Sequence, residues 1–266
     1  TGGLIWRTHT AGGDDDDPNE IARITWLDAS DSWRTGGGAI SETGTYDPAL
    51  NLMYWGTGHP EPALDPEARP GDNLYTSSVL AVSPGDGAIR WFFQYTPNDP
   101  FAYSETAAHP LMDVGGRALV THAAENGHTY AFDRGTGEFL YGMRYADDVT
   151  WTDGIDLGTG LPLSYDARTG LQAYDGAAGS QCPRSGGGEA TPHVAADPAR
   201  AVVFLSTGDG CGPASAGGAA GAFAGILAAV DARTGTTLAR IETAVPNRGG
   251  LLSSAGGWIM AAYIDG

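Results

Sequence analysis

Three stretches of the chain, LAVSPGDGAIRW, YAFDRGTGEFLY and LAAVDARTGTTLA, follow one plan: an apolar run, a turn that ends in glycine, then a second run. The opening TGGLIW reads as the second half of a fourth copy. Gly2, Gly87, Gly137 and Gly235 mark these turns, where a tight hairpin asks for positive φ and so for a residue without Cβ. Their separations of 85, 50 and 98 residues fit a unit of roughly 45 to 50 with degenerate copies between. A period of that size suits the blades of a β-propeller; a sandwich with long insertions is the alternative.

Further apolar runs recur between turn residues: SSVLAV, IRWFFQY, RALVTHA, HTYAFD, EFLYGMRY, AVVFLST, GILAAVD and WIMAAYI. Most are too short for helices and rich in β-branched or aromatic residues, so the spacing predicts antiparallel β-structure joined by hairpins. With 41 glycines and 16 prolines in 266 residues the chain is turn-dense, yet 41% apolar residues are too many for a disordered one.

The formal charge of −18 carries no lysine, every basic residue being an arginine. Such a surface excludes a nucleic-acid partner, because phosphate binding needs a basic face. No apolar run reaches the length that spans a bilayer. The opening TGGLIWRTHT lacks the basic start and apolar middle of a signal peptide and begins without Met. A piece of a longer protein is expected, so the missing signal says nothing about export.

Cys182 and Cys211 could be two buried thiols or one disulfide, which leaves the redox compartment open. The acidic run Asp14 to Asp17 lacks the alternation and terminal Glu of an EF-hand and reads, like GDGCGPASAGGAAGAFAG, as a solvated loop. There is no G-x-S-x-G, P-loop, H-E-x-x-H or G-x-G-x-x-G, and the six histidines stand singly at 9, 59, 109, 122, 128 and 193.

Other motifs run in a telling order: YWGTG, RPGDNLYTSSV, WFFQYTPNDP, NG-x-x-Y-x-x-DR-x-TG and VTW-x-x-GID-x-x-TG. Together with SWRTGGGA, TYDPALNLMYWGTG and GGLLSSAGGWIMAAYIDG they closely resemble the pyrroloquinoline quinone (PQQ) dependent alcohol dehydrogenases, the quinoprotein family that includes methanol dehydrogenase. The resemblance implies an all-β fold, a propeller of eight tryptophan-docking blades, of which this chain supplies about half as one partial domain over 1–266 without a second domain. It also implies PQQ and Ca²⁺ as cofactors, a small alcohol as substrate, cytochrome c as electron acceptor, a periplasmic or secreted location and a Cys182–Cys211 bridge.

In that family an aspartate takes the alcohol's hydroxyl proton while a hydride passes to the quinone, which a metal ion polarises. Matched to this chain, the aspartate position is Ala102, with Asp99 and Glu105 as displaced substitutes. The amide that gives the metal an oxygen falls at His59, for which a loop hydrogen bond is the plainer role, and the extra acid of lanthanide-using members falls at Ser104. The stacking tryptophan falls at Ser41. The arginine of RNG falls at Glu125, with Asn126 retained, and an Asn-Trp pair falls at Glu189 and Ala190.

Scaffold motifs thus persist while site positions change. Three readings follow: an altered quinoprotein alcohol dehydrogenase, a non-catalytic propeller that binds or scaffolds, or a different metal held by Glu42, His59, Glu125 and Glu189.

Overall fold

The computed structural model describes residues 2–13, 20–27, 31–166, 171–172, 181–183, 192–212 and 224–263. Strands β1 (Thr45–Asp47), β2 (Leu52–Gly56), β3 (Ser78–Val82) and β4 (Ile89–Gln94) form an antiparallel sheet in chain order. A second such sheet is β5 (Leu111–Val114), β6 (Arg117–Ala123), β7 (His128–Asp133) and β8 (Phe139–Arg144). A short pair, β9 (Tyr165–Asp166) and β10 (Leu171–Gln172), precedes a third four-stranded sheet of β11 (His193–Asp197), β12 (Val202–Asp209), β13 (Ala224–Asp231) and β14 (Thr237–Thr243). The hairpin β15 (Asn247–Ser253) and β16 (Ile259–Tyr263) follows.

Each apolar run read as a strand supplies one. Among the described residues the strands of each sheet lie side by side in chain order, which is the blade plan; a sandwich would pass strands between facing sheets. Among the described residues no helix is long and apolar enough to cross a membrane.

The turns behave as their glycines require, with φ of 70°, 72°, 76° and 72° at Gly2, Gly87, Gly137 and Gly235. Aspartates at the turn entrances hold the chain: Asp133 Oδ1 accepts the N–H groups of Gly135 and Thr136, and Asp231 Oδ1 accepts that of Arg233.

Four residues beyond each turn glycine stands Trp6, Trp91, Tyr141 or Ala239. Two of these rings lie on the turn glycine of another copy. A Cβ on Gly87 would sit 2.5 Å from Trp6 Cε3, and Trp6 Nε1 donates to Pro84 O at 2.8 Å. A Cβ on Gly235 would sit 2.6 Å from Tyr141 Cδ2, and the Tyr141 hydroxyl donates to Ala232 O at 3.2 Å. Glycine therefore serves twice at these sites, giving the turn its φ and the ring its seat.

The chain falls into two compact units, Thr1–Thr106 with Tyr165–Ala173, and Ala107–Ser164 with Tyr174–Gly266. In unit 1, Leu74, Tyr75, Leu80 and Val82 form a core against which Trp6, Met53 and Trp55 pack. In unit 2 the sheets β5–β8 and β11–β14 share two clusters, Met112, Val114 and Leu119 with Val203, and Ala123 with Leu205, Ile226 and Val230. Each fully buried aliphatic side chain of this kind contributes about 1.5–3 kcal/mol. Cys182 and Cys211 are joined as a disulfide across 29 residues with Cα atoms 4.5 Å apart, and the Cys182 N–H donates to Thr150 Oγ1 at 3.0 Å.

Candidate functional site

Unit 1 brings the glycine triplet against the loop that carries His59. Gly38 N–H donates to His59 O at 3.0 Å, Gly58 N–H to Ala39 O at 2.9 Å and Glu61 N–H to Gly36 O at 3.2 Å. A Cβ on Gly37 would meet Pro60 Cα at 2.6 Å, so the close approach of two backbones explains this glycine. Ser41 and Glu42 follow the triplet and are exposed.

His59 is half-buried, with Nδ1 2.8 Å from Ser104 Oγ and Nε2 3.4 Å from Glu61 Oε1. Two positions singled out in the sequence as places for metal ligands are thus hydrogen-bonded to one another.

Between them the segment 96–105 is held from beneath. Asp99 is fully buried, its Oδ1 accepting the Phe101 N–H at 2.8 Å and its Oδ2 the Tyr103 N–H at 2.7 Å and the Ser77 hydroxyl at 3.2 Å. Burial pushes its carboxyl up to about 6, against the pull of the Phe101 N–H and of Arg69. Glu105 is also fully buried, its backbone N–H on Thr57 O at 3.1 Å. Ala102 lies between them with φ 60°, a left-handed conformation that costs a residue with Cβ about 1–2 kcal/mol.

Sequence reasoning passed over the residue that organises this loop. Arg69 is fully buried and donates to Pro62 O, Asn73 Oδ1, Ala63 O and Asp99 O at 2.8, 2.8, 3.0 and 2.5 Å. Desolvation lowers its guanidinium to about 10, with Asp99, Asp65 and Glu61 opposing. The signal was present in RPGDNLY, where an arginine follows a polar, proline-rich stretch that offers it carbonyls.

Unit 2 buries Glu125 and Asn126 at the β6–β7 turn. Asn126 Oδ1 accepts the His128 N–H at 3.2 Å, its Nδ2 donates to the Tyr130 hydroxyl at 3.1 Å, and its carbonyl accepts Trp151 Nε1–H at 2.7 Å. His109 and His122 stack at 4.1 Å with planes 4° apart, and burial lowers the first well below the usual imidazole range and the second to about 3. Glu189 and Ala190 lie outside the described residues.

Of the groups named from the sequence, unit 1 therefore holds Ser41, Glu42, His59, Asp99, Ala102, Ser104 and Glu105, and unit 2 holds Glu125 and Asn126. Among the described residues no three His, Cys, Asp or Glu side chains are placed to hold one metal ion. Unit 1 also carries an apolar cleft of about 390 Å³ walled by Trp6, Ile40, Met53 and Trp55, within the size range that small organic ligands occupy.

Comparison with known proteins gives these features a context. Residues 1–147 match the PQQ family model described as the β-propeller domain of glucose, ethanol and alcohol dehydrogenases. The chain is 40% identical over 165 residues to the quinoprotein alcohol dehydrogenase PedH of Pseudomonas putida, a match covering 60% of this chain and 26% of that one. It is 30% identical over 230 residues to methanol dehydrogenase [cytochrome c] subunit 1 of Methylobacterium organophilum, covering 79% and 36%. A solved europium-containing methanol dehydrogenase shares the fold with a TM-score of 0.81 at 24% identity, over 98% of this chain and 51% of that one. The chain spans about half the length of that solved relative, and its matches span less of the other two.

Proposed function

The chain belongs to the PQQ-type β-propeller family of glucose, ethanol and alcohol dehydrogenases, and on that footing we propose a quinoprotein alcohol dehydrogenase-like protein, one partial propeller domain over 1–266, that binds a ligand without oxidising alcohol. The fold is the all-β propeller of quinoprotein alcohol dehydrogenases. The observation that carries the functional reading is the commitment of the loop 96–105 to its own structure. At Ala102 there is no proton acceptor, and Asp99, one of the two displaced carboxylates, spends its oxygens on the Phe101 and Tyr103 N–H groups and the Ser77 hydroxyl.

The residues present do not fit the family's cofactors. Calcium and lanthanide ions take oxygen donors, whereas the ligand position holds an imidazole whose Nδ1 faces Ser104. Ser41 offers no ring face for a quinone to lie on. The position that the resemblance gives to the arginine beside the quinone holds Glu125, a buried carboxyl, whereas the tricarboxylate PQQ asks for a cation. The apolar cleft beside Trp6 and Trp55 supports a binding role for the scaffold that remains. The disulfide supports a periplasmic or secreted location, where such bonds persist.

A second reading keeps alcohol oxidation, with PQQ and Ca²⁺ bound by rearranged contacts, a small alcohol as substrate and cytochrome c as acceptor; 40% identity to PedH favours it. Titration of PQQ with and without Ca²⁺, followed by tryptophan fluorescence, separates the two. The first reading expects no saturable binding by the unaltered protein and regained binding in the double variant Ser41→Trp, Glu125→Arg. Micromolar or tighter binding by the unaltered protein overturns it in favour of the second.

A further inference from the structure

The contact between His59 and Ser104 has a third member. His59 Nδ1 lies 2.8 Å from Ser104 Oγ, and on the far side of the ring Nε2 lies 3.4 Å from Glu61 Oε1. With its proton on Nε2, His59 would present that N–H toward the half-exposed Glu61 carboxylate. The Nδ1 lone pair then faces the serine hydroxyl as an acceptor. Glu61 is itself held, its Oε2 accepting the Ala63 N–H at 3.0 Å.

Ser104 is partly buried. Its Oγ also accepts the His59 backbone N–H at 3.4 Å, and the Gly58 backbone beside it lies against Ala39, whose carbonyl accepts the Gly58 N–H at 2.9 Å. The imidazole is 30% exposed, and the loops beneath are pinned by the Gly38 to His59 and Glu105 to Thr57 backbone bonds.

We propose that Ser104, His59 and Glu61 act as nucleophile, base and orienting carboxylate, taking an acyl group from a small ester. Ser104 Oγ adds to the ester carbonyl carbon as its proton passes to His59 Nδ1. The carbon–oxygen bond to the alcohol breaks, and the alcohol leaves with that proton. Water, giving a proton to the same nitrogen, then adds to the acyl-serine; its carbon–Oγ bond breaks, Oγ regains the proton, and a carboxylic acid departs. Glu61 is a positioning residue. The inference goes beyond the binding role above and needs no quinone.

The test exposes the protein to a fluorophosphonate, which phosphonylates a nucleophilic serine by displacing fluoride, and locates the adduct by peptide mass. One adduct is expected at Ser104, together with hydrolysis of 4-nitrophenyl acetate, both abolished in Ser104→Ala. His59→Gln is expected to slow labelling by about 100-fold or more. Glu61→Gln slows it less, and Glu61→Asp recovers part of the loss. As a guard against a misfolded variant, Ser104→Cys is expected to react with iodoacetamide faster than free cysteine does. No adduct at Ser104, an adduct formed equally fast in His59→Gln, or an ordinary thiol rate in Ser104→Cys would overturn the proposal. The PQQ titration reports on the quinone reading alone, so the two can fail separately.

Discussion

Burial in unit 2 holds His122 to a pKa of about 3 and His128 to about 4, with His109 also lowered, stacked on His122. An unfolded imidazole titrates near 6.5. Below that value the unfolded chain binds protons that the folded chain refuses, so stability is complete above pH 6.5 and falls as the pH drops toward 4. Each such histidine contributes a slope of about 1.4 kcal/mol per pH unit. Urea midpoints measured from pH 7.5 to 5 are expected to fall, and His128→Gln to flatten the fall. Asp99 in unit 1 works in the opposite direction, because its folded pKa of about 6 lies above the unfolded value of 3.8. Its contribution is greatest below pH 4 and is lost as the pH rises to 6. Beside it, Arg69→Met would strip donors from three carbonyls and Asn73. A loss of about 3–5 kcal/mol is expected, read by denaturant melts. Arg69→Lys recovers little of it, since an ammonium cannot span four acceptors laid out for a planar fork.

At the scale of the hairpin, the turn glycines show which local facts a sequence states openly. Positive φ at Gly87 or Gly235 is a demand of the turn itself, so composition within a few residues reveals it. The seating of Trp6 on Gly87 and of Tyr141 on Gly235 joins different copies of the repeat, and only the constant spacing of four from glycine to ring hints at it. Substitution separates the two roles. Gly115→Ala meets nothing within 4 Å at φ 60° and is expected to cost about 1–2 kcal/mol for the left-handed backbone alone. Gly87→Ala and Gly235→Ala add a clash with a ring 2.5 and 2.6 Å away, expected to bring a further 1–3 kcal/mol, roughly, in chemical denaturation. Tryptophan emission shifting to the red in Gly87→Ala would mark the displacement of Trp6; equal costs at all three glycines would show that the rings move aside freely.

Across the whole chain, the fold was legible because the repeat and the ordered motifs are properties of many residues at once. The candidate site was legible only where resemblance named its positions. That Ala102 lacks a proton acceptor is plain from the sequence; that Asp99 is bound by Phe101, Tyr103 and Ser77, and so is no ready substitute, needs coordinates. The cysteines show the same division. Two thiols in a chain state no pairing, and chemistry alone left Cys182 and Cys211 either free or joined, whereas the fold brings their Cα atoms to 4.5 Å. Joining them closes a segment of 29 residues, which in the chain-entropy account removes about 3–4 kcal/mol of freedom from the unfolded state. Reduction under native conditions is therefore expected to lower the denaturation midpoint by that order, and Cys182→Ser with Cys211→Ser to match it. The loss belongs to unit 2, where Cys182 pairs with Thr150 and Gln181 with Gly212, so hydrogen exchange should quicken first at those amides. A reduced protein that kept both its midpoint and its protection would mean that packing of β11–β14 already fixes this segment, and that the disulfide adds no stability to unit 2.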